Sequence, residues 1–394
     1  MNLIANAEAP DMELVSVAEK LFARANKIPG MRGVLEFRLG EGSVVSVTVA
    51  DTVTVGTAHP NPDVTVTMSA DDFATVAAGE GDLARMFTSG KIRVDGDLGL
   101  ATLLPQAIGA SLSEEQDDDS GDEVNVDEQR YPAPERYAES ITAAQPPLEK
   151  VERYDRDDLT PEDFYHRYIL PCKPVVLTNA LRDWPLYNMS REESLIHFEG
   201  LQGMIRAGDY VSKTFSRNRT FRAESMAAFV RAAQEYSATD DSEPPPYLGS
   251  NTLPESLETL IRWPDYFRND QYIPPRIWIG PKGTVTPLHR DDTDNLFTQV
   301  WGEKVFILAA PHERPRLYAW TTYRKGGLEG SEVDAENPDY QKHPDARGVN
   351  FLYVQVSPGE MLFIPDGWFH HVRSLSLSLS VNFWTTSARH SGEC

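Results

Sequence analysis

The 394-residue chain has few of the features that mark secreted, membrane-spanning or nucleic-acid-binding proteins. Its two cysteines, Cys172 and Cys394, cannot form a disulfide framework, which disfavours a small secreted scaffold. No apolar run approaches the ~20 residues that a membrane-spanning helix needs. The first residues lack the basic region and apolar core of a signal peptide. We therefore expect a cytoplasmic protein with no membrane span.

Basic charge is also scarce, and the acidic excess is unevenly spread. The chain carries 37 Lys and Arg against 60 Asp and Glu, for a net charge of -23. No basic patch is visible, so we expect no binding to nucleic acid. Residues 111–150 hold 12 acidic and 3 basic side chains, and several prolines follow the acidic run. Such a composition predicts a linker over residues 111–149. The alternative is that the acidic run attracts a basic substrate.

The linker separates two predicted domains, residues 1–110 and 150–394. In the first, residues 44–49 and 63–68 alternate between apolar and polar side chains, which predicts two strands. Ser69 is suited to cap a following helix. Residues 90–97 predict another strand and turn, and residues 98–104 an apolar helix. The pattern indicates an α+β domain.

The second domain has the alternation of a sheet-lined cavity. Residues 295–300 and 304–308 predict two strands joined by a tight turn at Trp301-Gly302-Glu303. Residues 361–365 predict a further strand. Residues 374–384 alternate between apolar side chains and small polar ones, which suits the wall of a barrel or jelly roll with flanking helices.

His289, Asp291 and His370 form a candidate metal triad. Two imidazoles and one carboxylate can hold a ferrous ion on one face and leave the opposite face open. His289 and Asp291 are two residues apart, so on a strand they project to the same side. A His-x-Asp tripeptide is common, and the alternative is a solvated pair at a strand edge. His370 and His371 are neighbours, so only one of them can face the metal.

The chain resembles the cupin-like JmjC hydroxylases, which depend on iron(II) and 2-oxoglutarate. It looks closest to the branch of the asparaginyl hydroxylase that acts on the hypoxia-inducible transcription factor. The similarity covers roughly residues 150–386, and its matching stretches are residues 280–291, 295–304, 333–340, 359–371 and 380–384. The first domain resembles the sterol-carrier-protein-2 domain over roughly residues 12–108, notably in residues 63–69 and 87–92.

The resemblance implies roles for eight residues. The iron ligands and catalytic residues would be His289, Asp291 and His370, the last in preference to His371. The distal carboxylate of 2-oxoglutarate would contact Lys304, Thr286 and Tyr247. The cosubstrate pocket would be lined by Asn295 and Asn382. A buried dicarboxylate needs a cation, which a lysine can supply. The alternative for Lys304 is a solvated lysine beside a hairpin turn.

These observations predict an iron(II)/2-oxoglutarate-dependent dioxygenase on a double-stranded β-helix. We expect it to hydroxylate a C–H bond on a side chain of a peptide or protein. The alternatives are hydroxylation of a small molecule or lipid, delivered as an apolar ligand by the first domain, and a catalytically silent cupin scaffold that recruits partners. No zinc motif or chromatin-reading module is visible, which disfavours histone demethylation. Substrate contacts are expected between residues 310 and 351, from Tyr318, Trp320, Tyr323 and Arg324.

Overall fold

The chain divides into two compact units. The computed structural model describes residues 12–28, 30–40, 42–80, 82–112, 148–212, 220–236, 244–267, 271–291, 293–321 and 329–385. Most of the predicted linker, including its acidic run, lies outside these residues. The boundaries 1–110, 111–149 and 150–394 therefore stay a prediction. No helix in the described part of the chain is both long and apolar enough to cross a membrane.

The first unit is a five-stranded sheet with short helices. The helices are α1 (Met12–Leu21), α2 (Ala70–Ala77), α3 (Leu83–Thr88), α4 (Leu98–Ala101) and α5 (Leu104–Leu112), with a 3-10 turn at Ala25–Lys27. The strands are β1 (Gly33–Leu39), β2 (Ser43–Val49), β3 (Val53–Gly56), β4 (Val64–Met68) and β5 (Arg93–Gly96). The sheet order is β3-β2-β1-β4-β5, with β1 and β4 parallel.

Local sequence explains most of this unit. The predicted strands and the predicted cap are confirmed, since Ser69 Oγ accepts a hydrogen bond from Asp72 N at 3.0 Å. The single helix expected over residues 98–104 is wrong, because α4 ends at Ala101 and α5 begins at Leu104. The unit has its own apolar core, in which the ring of Phe37 lies 5.2 Å from that of Phe22 and 5.8 Å from that of Phe73.

The described chain from residue 148 onward is built mainly from strands. They are β6 (Glu152–Asp155), β7 (Val175–Thr178), β8 (Gln202–Ala207), β9 (Thr220–Ser225), β10 (Tyr247–Thr252), β11 (Arg276–Gly280), β12 (Val285–Arg290), β13 (Asp294–Trp301), β14 (Lys304–Ala309), β15 (Ala319–Thr321), β16 (Glu329–Ser331), β17 (Leu352–Val356), β18 (Met361–Ile364), β19 (Phe369–Ser374) and β20 (Ser378–Thr385).

Short helices flank these strands. The α-helices are α6 (Pro161–Phe164), α7 (Pro185–Asn188), α8 (Arg191–Leu195), α9 (Met226–Glu235) and α10 (Glu255–Glu258). A π-helical turn spans Tyr165–Ile169, and 3-10 turns span Arg156–Asp158, Ile196–Phe198, Pro311–Glu313 and Pro344–Gly348.

The strands form two sheets, and the chain alternates between them. One sheet has the order β6-β7-β18-β13-β20-β11-β10-β8-β9, and the other β15-β16-β12-β19-β14-β17. Successive strands β12, β13 and β14 change sheet at each step, as do β17, β18, β19 and β20. Antiparallel strands that pass back and forth between two sheets make a double-stranded β-helix. The predicted fold class is therefore confirmed.

Apolar side chains fill one end of the space between the sheets. Phe297 of β13 meets Phe306 of β14 edge-on, with ring centroids 4.7 Å apart, and both belong to a buried cluster with Leu362 of β18. The outer face of the smaller sheet is covered by a second cluster, which joins Ile307 and Phe369 to residues that follow β14. The other end of the interior is polar and holds the predicted site residues.

Two connections position the site strands. Gly302 has a φ of 64° in the turn between β13 and β14, and a Cβ there would lie 2.1 Å from the Leu377 carbonyl oxygen. Glycine is thus the residue that fits this predicted turn. The strand expected over residues 374–384 is wrong at its start. Ser374 ends β19 and Ser378 begins β20, because the chain crosses from one sheet to the other between them.

Candidate metal centre

Two strands and one loop position the three predicted ligands. His289 of β12 and His370 of β19 are direct partners across the antiparallel ladder, so their side chains project from the same face. A register shift between Thr286 and His289 separates this pair from the regular ladder before it. Asp291 follows the end of β12. The expectation that the strand carries His289 and Asp291 alike is therefore wrong for Asp291.

The three side chains converge despite this difference. Their ligand atoms all lie within 4.8 Å of one another. His289 Nε2 is 3.9 Å from Asp291 Oδ1, and His370 Nε2 is 3.7 Å from Asp291 Oδ2. The two imidazole rings are buried, with centroids 4.1 Å apart. One ion could contact all three groups from one side, which is the arrangement of an iron triad with open positions.

Hydrogen bonds fix both imidazoles for metal binding through Nε2. His289 Nδ1 lies 2.7 Å from the Pro287 carbonyl oxygen, and His370 Nδ1 lies 3.1 Å from that of Trp368. A carbonyl only accepts, so each Nδ1 carries the proton and each Nε2 keeps its lone pair. Burial, with the neighbouring His370, holds the pKa of His289 well below its usual value. His289 is thus neutral at neutral pH, as a metal ligand must be.

The carboxylate is oriented by an indole. Trp384 Nε1, on β20, donates a hydrogen bond to Asp291 Oδ2 at 2.9 Å. The sequence analysis did not predict this role of Trp384 as a donor to the carboxylate. Its position could have revealed the contact, because Asn382 and Trp384 alternate onto the same face of β20. Groups that hydrogen-bond to ligands fix their orientation and tune metal affinity.

A buried ammonium group lies in the same interior. Lys304, the first residue of β14, is 1% exposed, and its Nζ donates a hydrogen bond to the hydroxyl of Tyr247 at 3.2 Å. Thr286 hydrogen-bonds to the same hydroxyl. Within the described ranges, Lys304 has no carboxylate partner. Burial lowers its pKa to about 7. The alternative of a solvated lysine is wrong, and a bound carboxylate would supply the missing counter-charge.

The two predicted pocket asparagines are neighbours. Asn295 of β13 and Asn382 of β20 are both buried, and Asn382 Nδ2 donates to Asn295 Oδ1 at 3.2 Å. They lie on the strands that also carry Phe297 and Trp384. The structure thus brings the predicted iron residues and the predicted cosubstrate residues into one interior. Their roles as ligands stay predictions.

His371 occupies the outer face of β19, as the alternation predicts. It is opposite Ile307, whereas His370 is opposite Leu308 of the interior. His371 Nε2 lies 3.3 Å from Glu336 Oε1, and Arg373 pairs with the same carboxylate. These bonds outweigh partial burial and lower the pKa of Glu336 to about 2. His371 therefore anchors the stretch around Glu336 to the sheet.

A buried ion network lies behind β12, the strand that carries His289, on the face opposite to the predicted metal ligands. Arg290, the last residue of β12, lies between His289 and Asp291 in the sequence, but its side chain projects from the opposite face, against the ring of Phe369. Its Nε is 2.8 Å from Glu329 Oε2 of β16, and both side chains are fully buried. Arg314 adds two hydrogen bonds of 2.9 Å to the same carboxylate. The network joins β16 to β12 directly behind His289.

One cation near the centre was not predicted. Arg206 is buried on β8, and it is the direct partner of Tyr247 across the ladder with β10. Its guanidinium carbon lies 5.8 Å from the centroid of the Tyr247 ring and 5.5 Å from that of Trp278. Sequence patterns could not reveal it, since residues 202–207 carry no motif that links them to the triad.

The predicted substrate segment is only partly described, and its role stays a prediction. Tyr323 and Arg324 lie outside the described residues. The Tyr318 hydroxyl donates to Asp345 Oδ2 at 3.3 Å, and its ring lies 4.8 Å from that of His343. Tyr318 is thus held by the segment itself. Trp320 lies on β15, at the edge of the smaller sheet.

The chain matches a known family over most of the second unit. Residues 161–389 match the profile of the cupin-like domain, more than half of the sequence, and the chain belongs to this family. Residues 17–108 match the SCP-2 sterol transfer family. These ranges agree with the two resemblances seen in the sequence.

Several curated proteins are similar to the second part of the chain. The Arabidopsis thaliana lysine-specific demethylase JMJ30 is 32% identical over 243 residues, covering 60% of this chain and 55% of the relative. The Xenopus tropicalis lysine-specific demethylase 8 is 30% identical, covering 57% and 50%. The human bifunctional peptidase and (3S)-lysyl hydroxylase JMJD7 is 27% identical, covering 57% and 81%. The chain spans about half the length of the first two.

Proposed function

We propose that the protein is an iron(II)/2-oxoglutarate-dependent dioxygenase that hydroxylates a side chain of a peptide or protein. The observation that carries the proposal is the shared interior of the triad and Lys304. Three ligand atoms lie within 4.8 Å of one another, and a buried amine without a carboxylate partner in the described structure lies in the same interior. A metal-binding scaffold alone has no use for that amine.

The donor set fits ferrous iron and the diacid. Neutral imidazoles and a carboxylate are the ligands that non-haem iron oxygenases use. The distal carboxylate of 2-oxoglutarate would accept from Lys304, Tyr247 and Thr286, with Asn295 and Asn382 beside it. When bound, iron(II) and 2-oxoglutarate would supply the oxidation. In that reaction dioxygen converts 2-oxoglutarate to succinate and carbon dioxide and hydroxylates a C–H bond.

The protein's own residues position the reactants. His289 and His370 present Nε2 because each Nδ1 is engaged by a backbone carbonyl. Trp384 holds the Asp291 carboxylate in place. The apolar cluster around Phe297 and Phe306 closes one end of the interior and excludes water. Positioning and exclusion of water are the contributions a protein makes to cofactor chemistry.

The relatives support a protein substrate. Two carry names of lysine-specific demethylases and one is named a (3S)-lysyl hydroxylase, so all three names refer to a lysine side chain. Demethylation that begins by hydroxylating an N-methyl group uses the same C–H chemistry. That the protein belongs to the branch of the asparaginyl hydroxylase is a narrower form of this proposal, and it depends on the same test of oxygenase activity.

The test is succinate formation by the full chain with Fe(II) and 2-oxoglutarate under air. We expect the wild type to form succinate and His289→Ala to lose nearly all of it, because one of three ligands is removed. His166→Ala is the matched control, since His166 is exposed and lies outside the triad. A wild type that binds no metal and forms no succinate would favour the silent scaffold.

A second candidate function follows from the SCP-2 match. The first unit encloses an apolar core, and its family is named for sterol transfer. The oxygenase would then act on an apolar molecule delivered by this unit. Native mass spectrometry of the purified chain would reveal a bound lipid, and detection of an added oxygen on that lipid after turnover would favour this route over a peptide.

A further inference from the structure

We infer that Arg206 makes this centre select a substrate that carries a carboxylate, such as an aspartate or glutamate side chain. The inference rests on the proposed oxygenase function and narrows its substrate class. Arg206 belongs to none of the predicted groups that hold iron or the distal end of 2-oxoglutarate. Its place in the interior therefore calls for a different role.

The strand pairing puts Arg206 on the inner face of the sheet. Arg206 and Tyr247 are direct partners across an antiparallel ladder, so their side chains project to the same side. The Tyr247 hydroxyl meets Lys304, which places that side in the interior.

A continuous aromatic wall runs from Arg206 to the triad. The guanidinium lies over the Trp278 ring, and the Trp278 and Trp384 rings are 6.3 Å apart. Trp384 in turn donates to Asp291. The wall offers two kinds of donor, because Trp278 Nε1 is buried without a hydrogen-bond partner among the described residues. A molecule lying along this wall would have one end at Arg206 and the other near the metal.

The chemistry of these donors selects the ligand. Arginine stays protonated at any pH a protein experiences, and an indole N–H donates only. Five guanidinium N–H groups can serve several acceptors at once. A carboxylate accepts from both residues, whereas a lysine or arginine side chain has only donors and is repelled. Like charges brought together at a binding site cost several kcal/mol, so the preference should be large.

The first experiment uses peptide libraries with the wild-type chain, Fe(II) and 2-oxoglutarate. Three libraries share randomised flanks and differ at one fixed central position, which is Asp or Glu, Asn or Gln, or Lys or Arg. Succinate release and the mass gain of one oxygen are measured. We expect the acidic library to be hydroxylated at least about tenfold faster than either other library. Equal rates, or a preference for the basic library, would overturn the inference.

The second experiment changes the charge of the side chain at residue 206. We expect Arg206→Lys to keep the acidic preference and Arg206→Glu to shift it towards the basic library. Arg231→Glu is the matched reversal, at an exposed arginine paired with Glu199 on the surface, and should keep the wild-type order. An unchanged order in Arg206→Glu overturns the inference. If Arg206→Glu does not fold, the order of the three library rates in the wild type and in Arg206→Lys decides whether the inference holds.

Two further outcomes distinguish a failure of this inference from a failure of the proposed oxygenase function. A variant whose KM for 2-oxoglutarate rises while its peptide order is unchanged would mean that Arg206 contacts the cosubstrate carboxylate instead. Succinate formed from 2-oxoglutarate without peptide tests the oxygenase alone. Its complete absence removes the proposed function and this inference together, whereas succinate without an acidic preference removes only the inference.

Discussion

At the scale of single residues, the indole of Trp384 is the most direct support for a predicted ligand. Trp384→Phe keeps the aromatic wall but removes the donor to Asp291 Oδ2. We expect metal affinity to fall about tenfold, because residues that orient a ligand typically contribute 10–100-fold. Titration with Mn(II), followed by isothermal calorimetry, measures it. Trp263→Phe is the control, since its described ring contacts are with Tyr272 and Phe383.

Lys304 gives the candidate site a pH dependence with a defined sign. Burial lowers its pKa to about 7, so above that pH the free protein holds a neutral amine. A bound carboxylate stabilises the ammonium form, and binding above pH 7 must then take up a proton. We expect the affinity for 2-oxoglutarate, measured by calorimetry with Mn(II), to fall as the pH rises from about 6.5 to 8.5.

Lys304→Met separates this effect from other titrations. The variant should bind 2-oxoglutarate more weakly at every pH, and its affinity should vary little between pH 6.5 and 8.5. A variant that retains the wild-type pH dependence would mean that another group takes up the proton. His289 is unsuited to that role, because its pKa lies well below its usual value.

At the scale of elements, the buried ion network decides how firmly β16 is held to β12. Glu329 is the shared partner of Arg290 and Arg314, and it is fully buried. Glu329→Gln keeps the shape but leaves a buried arginine without its counter-charge. Removing one partner of a buried pair costs about 3–5 kcal/mol. We expect a loss of that order in the free energy of unfolding, measured by urea denaturation.

An exposed ion pair provides the comparison. Asp157 pairs with Arg182 on the surface of the same unit, where solvent screens the charges. Asp157→Asn should therefore change the unfolding free energy far less than Glu329→Gln. Equal effects of the two variants would show that the buried network does not hold the strands together.

At the scale of the whole molecule, each unit has its own apolar core. Phe37 is 2% exposed and packs between Phe22 and Phe73 in the first unit. Phe37→Ala should destabilise that unit by about 3–5 kcal/mol, as large-to-small core changes do. Hydrogen exchange should locate the loss within residues 12–112. Metal affinity should stay at the wild-type value, and a large fall would show that the units are energetically coupled.

Local patterns carried much of this architecture. The alternation in residues 44–49 and 63–68 predicts strands because side chains in a strand face opposite sides, and Ser69 caps a helix through a contact three residues away. Both are short-range effects. The strand start at Ser378 and the break between α4 and α5 depend on where the chain changes sheet or packs. The alternation of residues 374–384 cannot show where the chain crosses from one sheet to the other, since the pattern is the same on both sides of the crossing.

For the candidate site, the sequence by itself determined the residue types and which residues of a strand share a face. It showed that only one of His370 and His371 can face a metal bound by His289 and Asp291. The resemblance to the JmjC hydroxylases favoured His370 and assigned Lys304 to the diacid. Only the tertiary structure decided that Trp384 holds the carboxylate and that Arg206 lies along the same wall. These contacts join β20 to the end of β12 and β8 to β10 and β11, and such pairings are set by sheet order rather than by neighbouring residues.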